Sequence, residues 1–202
     1  SGHKFYAPYG GGFLIGPGNF FDKFLSYEIG GGNLPYITSQ GEFLRYKNQL
    51  AHDPGTPNAV GAVAMASALG VLKRIGLDNV FLYENKLARR AFEYLRGNPK
   101  IEVFVSEKHL NTVLPFTVKN RDCREVAKEL NARFGIGVRA GSFCVYNVVR
   151  HLLHIDDETT IIEGVKAGRK DAVPGFIRAS IGLCNVDEDI DRLIEALEVI
   201  TS

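Results

Sequence analysis

Tryptophan is absent from this 202-residue chain, methionine occurs once and cysteine three times. Cys123, Cys144 and Cys184 are odd in number, far apart and without a CxxC pair. That pattern argues against a disulfide framework and against a zinc site, so no metal is expected. A reducing cytosol, and hence a cytoplasmic location, is the expected compartment. Neither sign of charge dominates: 24 basic and 23 acidic residues leave a net charge of +1. The electrostatic case for nucleic acid or an anionic membrane is therefore missing, and small neutral or zwitterionic ligands fit better. No apolar run approaches the roughly 20 residues a membrane helix needs. No signal peptide, internal repeat or low-complexity tract is visible. The chain opens on Ser1 rather than methionine, so it reads as the end of something longer.

Glycine is plentiful, with 22 residues. The first stretch that uses it is Ser1-Gly2-His3-Lys4, running into Pro8 and Gly10-Gly11-Gly12. A hydroxyl, an imidazole and a primary amine within four residues make a site for an anion beside an amine. Pyridoxal phosphate (PLP) needs that pairing, because its phosphate wants hydrogen-bond donors and its aldehyde wants a lysine amine. Lys4 is the candidate amine; the alternative is a surface lysine beside a glycine turn. Phe13 to Gly16 reads as a short buried strand closed by Pro17-Gly18. The next forty or so residues, including Gly30-Gly31-Gly32 and Tyr36, lack periodicity and read as a loop lining a site or a subunit contact.

Thr56 is placed to cap a helix whose first residue is Pro57, with Val60, Val63, Leu69, Leu72 and Ile75 as a tightly buried apolar set. The amides at such an N-terminus attract anions, so Thr56 is a candidate phosphate contact as well as a cap. A second helix is expected from Asp78 to Leu95, broken by Gly97-Asn98-Pro99. Strands follow at 101–105 and 112–118, the second an edge or bulged strand because of Pro115. A helix over 121–134 ends at Gly135, and strands at 136–140 and 176–180 flank a helix at 158–167. The closing helix has Asn185 and Glu188 at capping-box spacing. The order describes an α+β unit with helices against a small, mostly antiparallel sheet.

Two further stretches carry chemistry. In Phe176-Ile177-Arg178-Ala179-Ser180, alternation puts Arg178 and Ser180 on the face opposite Ile177 and Ala179. The guanidinium fork matches a carboxylate in two hydrogen bonds, so Arg178 holds either a ligand's acid group or a glutamate or aspartate of the last helix. Gly141-Ser142-Phe143-Cys144 takes a strand into a loop and could present a thiol at a cleft rim. A catalytic role for Cys144 needs a nearby cation or base, for which Arg139 and Lys4 are the available cations; a lone cysteine is more often a small buried hydrophobe.

Taken together the chain resembles the class V aminotransferase family of PLP enzymes, particularly its cysteine desulfurase and selenocysteine lyase branch. The motifs that carry the resemblance are Ser1-Gly2-His3-Lys4 with Pro8 and Gly10, Gly55-Thr56-Pro57-Asn58, Gly135 to Gly141 with Cys144, and Arg178-Ala179-Ser180 leading to Asn185. The resemblance implies the C-terminal half of a PLP-dependent transferase fold: residues 1–76 as the end of the PLP-binding large domain, 77–98 as a connecting helix, and 99–202 as a small α+β domain. It implies Lys4 as the lysine that condenses with the cofactor aldehyde, with Ser1 and His3 on the cofactor phosphate. Thr56 would reach the phosphate of the neighbouring subunit's cofactor, making a homodimer. Arg178 would hold the α-carboxylate of a small amino acid, and Cys144 would accept sulfur and hand it to an acceptor protein. An aminotransferase, epimerase or lyase of the same fold with a structural Cys144, and a non-catalytic dimerising fragment, are the alternatives.

Overall fold

The structure is a computed structural model that describes residues 1–202 apart from the side chain of Lys170. The chain divides into two compact units, Ser1–Leu77 and Asp78–Ser202. The first is built on one helix, α1 (Ala59–Ile75), and has almost no sheet. Its only strands are β1 (Tyr36–Ile37) and β2 (Phe43–Leu44), paired antiparallel. The strand expected at Phe13–Gly16 does not form: Phe13, Leu14 and Ile15 are exposed, and no strand pairs with them. A short apolar run becomes a strand only where a ladder takes up its amides.

The expected helix start also moves. Asn58, not Thr56, is the N-cap of α1: its Oδ1 accepts from the Gly61 amide at 2.9 Å. Pro57 therefore sits outside the helix. Asn58 has a second use that Thr56 could not supply, since its Nδ2 donates to the Tyr9 carbonyl at 2.7 Å. Gly61, Met65 and Leu72 are the buried positions of α1, while Val60, Val63, Leu69 and Ile75 are exposed, so tight burial of the whole apolar set is not what this unit provides.

The glycine-rich loop is ordered by one buried side chain. Asn33 donates to the carbonyls of Glu28 and Ala51 and accepts from the Gly30 amide, which uses its full amide group. The Gly55 amide then bonds the Gly31 carbonyl at 2.6 Å, fastening the loop to the turn that holds Thr56.

The second unit contains the core. Helix α2 (Leu77–Gly97) buries Leu87, Ala88, Ala91, Phe92 and Leu95, which recur at helical spacing. Strands β3 (Ile101–Val103), β4 (Val113–Val118), β5 (Arg139–Gly141) and β6 (Phe176–Ser180) form one sheet in the order β3-β4-β6-β5, every pair antiparallel. Helices α3 (Cys123–Phe134) and α6 (Asp187–Thr201) complete the layer with Val126, Leu130, Leu193 and Leu197 against Leu114, Phe116, Ile177 and Ala179. Two short helices, α4 (Tyr146–Leu152) and α5 (Thr159–Lys166), occupy the excursion between β5 and β6.

Contrary to the edge or bulge expected from Pro115, β4 is an inner strand. The Pro115 carbonyl accepts from the Phe104 amide at 2.9 Å, so the side on which proline lacks a donor faces β3 just past its last residue, Val103. The missing N–H thus falls where the ladder has already ended. The closing cap is shifted as well: Asp189 accepts from the Val186 amide, and Asn185 turns back to accept from the Gly182 amide.

At the sheet edge a Cβ added to Gly175 would stand 2.2 Å from the Gly141 carbonyl carbon, so the two backbones touch where the excursion leaves and returns. Only glycine permits that approach.

Candidate functional site

In the first unit the structure brings two of the sequence motifs together. Ser1–Lys4 enters a 3-10 turn, Gly2–Phe5, closed by Tyr6 in the left-handed region at φ 69°. The Gly2 amide donates to the Gly11 carbonyl at 2.8 Å, closing the segment into a loop. That loop lies hard against α1: a Cβ on Gly2 would be 2.8 Å from Met65 Cγ, and one on Gly11 would be 2.9 Å from the Gly61 carbonyl oxygen. With Asn58 bridging Tyr9 to the first turn of α1, the Lys4 loop and the Thr56-Pro57-Asn58 turn are held on one helix end. Gly2 is buried, whereas Ser1, His3, Lys4 and Thr56 are all exposed. The backbone is fixed and these four side chains face solvent.

The second unit positions Arg178 and Cys144. Register puts Arg178 opposite Pro115 on one side and Arg139 on the other, on the sheet face away from the core. The structural alternative of an ion pair with the last helix is not what forms. Arg178 Nε is buried without a hydrogen-bond partner, and the guanidinium lies 4.8 Å from the centroid of the Phe143 ring, a cation–π contact. Acidic groups at the start of α6 are used elsewhere: Asp187 by Lys86 and Arg90, Asp191 by Arg90. Hydrogen bonding from Lys86 holds the Asp187 carboxyl below its ordinary range, and Asn185 with the Val186 amide does the same for Asp189.

Phe143 and Cys144 are consecutive residues in the left-handed region, at φ 52° and 61°. Non-glycine residues pay for that conformation, so two in a row mark a turn held by its surroundings. The turn lays Phe143 on Arg178 and leaves Cys144 exposed, against the expectation that a lone cysteine is buried. Cys123 does follow that pattern: it is buried on α3, and desolvation pushes its thiol above the usual value. Cys184 is exposed.

Phe143 is the residue that sequence reasoning missed. Its partner lies on a strand more than thirty positions away, and no local periodicity marks it. In a separate groove beside Gly135, Ser180, Asn185 and Arg192, Arg192 donates to the Phe134 carbonyl and Asn185 to Asp189.

Comparison with known proteins gives a consistent result. The sequence model of the family described as Aminotransferase class-V matches residues 1–193. The cysteine desulfurases of Klebsiella pneumoniae (strain 342) and Salmonella agona (strain SL483) are 26% and 27% identical over 198 and 197 residues. These alignments take in 98% of this chain but 44% and 43% of those proteins. Among solved structures, the Escherichia coli cysteine desulfurase CsdA in its S-sulfonic acid form matches with TM-score 0.81 at 24% identity, covering 98% of this chain and 44% of that one. The apo cysteine desulfurase of Thermococcus onnurineus NA1 gives TM-score 0.68 at 25% identity, over 90% of this chain and 40% of that one. The chain thus spans less than half the length of the relatives it matches, and its fold is a part of theirs. With a family match running over all but its last residues, the chain belongs to the class V aminotransferase family.

Proposed function

We propose that this chain is the C-terminal portion of a PLP-dependent enzyme of its family that acts on a small amino acid, as a cysteine desulfurase or selenocysteine lyase. The observation that carries the reading is the buried, unpartnered Nε of Arg178, whose guanidinium stacks on Phe143, the residue next to the exposed Cys144 in the chain. A guanidinium left short of an acceptor inside a fold is a place for a ligand carboxylate.

The residues present fit PLP. Lys4, Ser1 and His3 offer an exposed amine and donors on a backbone fixed by Gly2 and Gly11. The cofactor, when bound, supplies an electron sink for bonds at the substrate α-carbon. Lys4 would hold its aldehyde and move protons, Ser1 and His3 would bind its phosphate, and Thr56 would bind the phosphate of a second subunit's cofactor in a homodimer. Arg178 orients the substrate through its α-carboxylate. Cys144 would attack the substrate's sulfur; the bond between that sulfur and the substrate's β-carbon breaks, the β-carbon takes up a proton so that alanine leaves, and the persulfide on Cys144 passes its outer sulfur to an acceptor protein.

The complete enzyme given L-cysteine should release alanine, and reduction with borohydride should fix a cofactor adduct on Lys4. Absence of alanine refutes the desulfurase reading. The second reading, an aminotransferase, epimerase or lyase with a structural Cys144, is favoured by one feature: an aromatic ring, Phe143, stands where a thiol-activating base would be of use. Near-intact turnover in Cys144→Ala selects it, and a complete enzyme that forms no adduct on Lys4 is a non-catalytic dimerising protein.

A further inference from the structure

The outer face of the second unit's sheet carries a pairing that sheets normally avoid. Arg139 on β5 stands directly opposite Arg178 on β6. Residues so placed hold their Cβ atoms about 4.5–5.5 Å apart, where like charges destabilise the pair. Among the described residues neither guanidinium has a carboxylate within ion-pair distance, although nine such pairs form elsewhere. Pro115, the other neighbour of Arg178, brings no charge. Phe143 covers one side of the Arg178 guanidinium, and its Nε lacks an acceptor. Arg139 is exposed, so its head is free to turn towards a ligand. Two uncompensated cations side by side on one strand pair form a cradle for an anion with two charged ends.

We propose that Arg139 is a specificity-determining residue that binds an anionic group at the side-chain end of the amino acid whose α-carboxylate Arg178 holds. The inference rests on the reading of Arg178 given under Proposed function. The ligand class is a compact zwitterion with its second anionic atom or group three bonds from the α-carboxylate carbon. Cysteine as its thiolate and four-carbon amino diacids both belong to it. A neutral side chain of the same size leaves Arg139 unmatched and is disfavoured.

The test uses the 202-residue chain and two simple probes, sodium acetate and sodium succinate, titrated at equal, low ionic strength. The readout is the NMR signal of the Arg178 Nε–H, which an acceptor shifts downfield. Succinate, with its carboxylates three bonds apart, should bind about tenfold more tightly than acetate, beyond the factor of about two expected from having two carboxylates. Arg139→Gln should leave acetate binding within about twofold and reduce the succinate advantage to that statistical factor. In Arg178→Gln, where that signal is gone, saturation transfer from the protein to the acetate methyl and succinate methylene protons, present with the unmodified chain, should be lost for both. Equal affinities in the unmodified chain, a succinate advantage that survives Arg139→Gln, or an Arg178 Nε–H that neither anion moves would each overturn the proposal. Because no cofactor or turnover enters the measurement, its failure is distinguishable from failure of the desulfurase assay.

Discussion

Replacing Arg178 by methionine should make the second unit more stable, although it removes the residue that the proposed function most depends on. The magnitude follows from three contacts. The buried Nε without an acceptor costs about 1–3 kcal/mol, the desolvation penalty of an unsatisfied polar group. Standing opposite Arg139 adds about 0.2–1 kcal/mol of like-charge repulsion. Against these, loss of the contact with the Phe143 ring gives up about 0.5–1 kcal/mol. Methionine keeps most of the side-chain length and fills irregular gaps without a polar atom. The balance is a gain of about 2 kcal/mol, read as a higher urea midpoint with unchanged slope. Phe143→Leu should weaken the unmodified protein by about 0.5–1 kcal/mol and do much less in the Arg178→Met background, which isolates the ring contact. Destabilisation by more than about 1 kcal/mol in Arg178→Met would refute the reasoning, because it would mean that the guanidinium already has a partner.

Three other changes test the rest of the structure. Asp187 and Asp189 have folded-state acidities strengthened by their hydrogen bonds, so their contribution is complete above the unfolded aspartate value near 4 and disappears as pH falls through the lower folded value. Urea midpoints should therefore drop between about pH 5 and pH 2, and Asp187→Asn with Asp189→Asn should flatten that slope; an unchanged slope counts against these contacts. Gly11→Ala places a methyl 2.9 Å from the Gly61 carbonyl oxygen, a backbone atom that cannot swing aside. It should cost about 1–3 kcal/mol and reduce borohydride-fixed adduct on Lys4 in the complete enzyme, whereas Gly18→Ala, with open space around it and no left-handed backbone, should preserve more of both. Asn33→Ala removes three hydrogen bonds and should open residues 28–51 to limited proteolysis while the second unit unfolds at its original midpoint; equal resistance of the two proteins would refute the assignment.

The second unit was more legible in sequence than the first, for a physical reason. Val126 and Leu130 on α3, and Leu193 and Leu197 on α6, recur at helical spacing because each helix buries one face on a single sheet. Pattern and structure then agree. In the first unit, Phe13, Leu14, Val60 and Val63 are apolar yet exposed, so apolar residues there do not report burial and the strand expected at Phe13–Gly16 had no ladder to join. The cap at Asn58 was displaced from Thr56 by a long-range need, the Tyr9 carbonyl, that no local rule contains. Pro115 misled in the same way, since its tolerance on an inner strand depends on where β3 stops. At the candidate site, Arg178 was marked by its strand pattern, while its lack of an acidic partner and its stacking on Phe143 are properties of register and loop path.

The clasp between Gly141 and Gly175 has a consequence for how this protein can change. It fixes the two ends of the excursion that bears Cys144, so whatever lies beyond is hung from the sheet as from a closed ring. Residues can be gained, lost or reshaped in α4 and α5 without strain reaching β6, and the thiol keeps its anchorage throughout. A side chain at Gly175 would undo that independence, coupling every alteration of the appendage to the strand that carries Arg178.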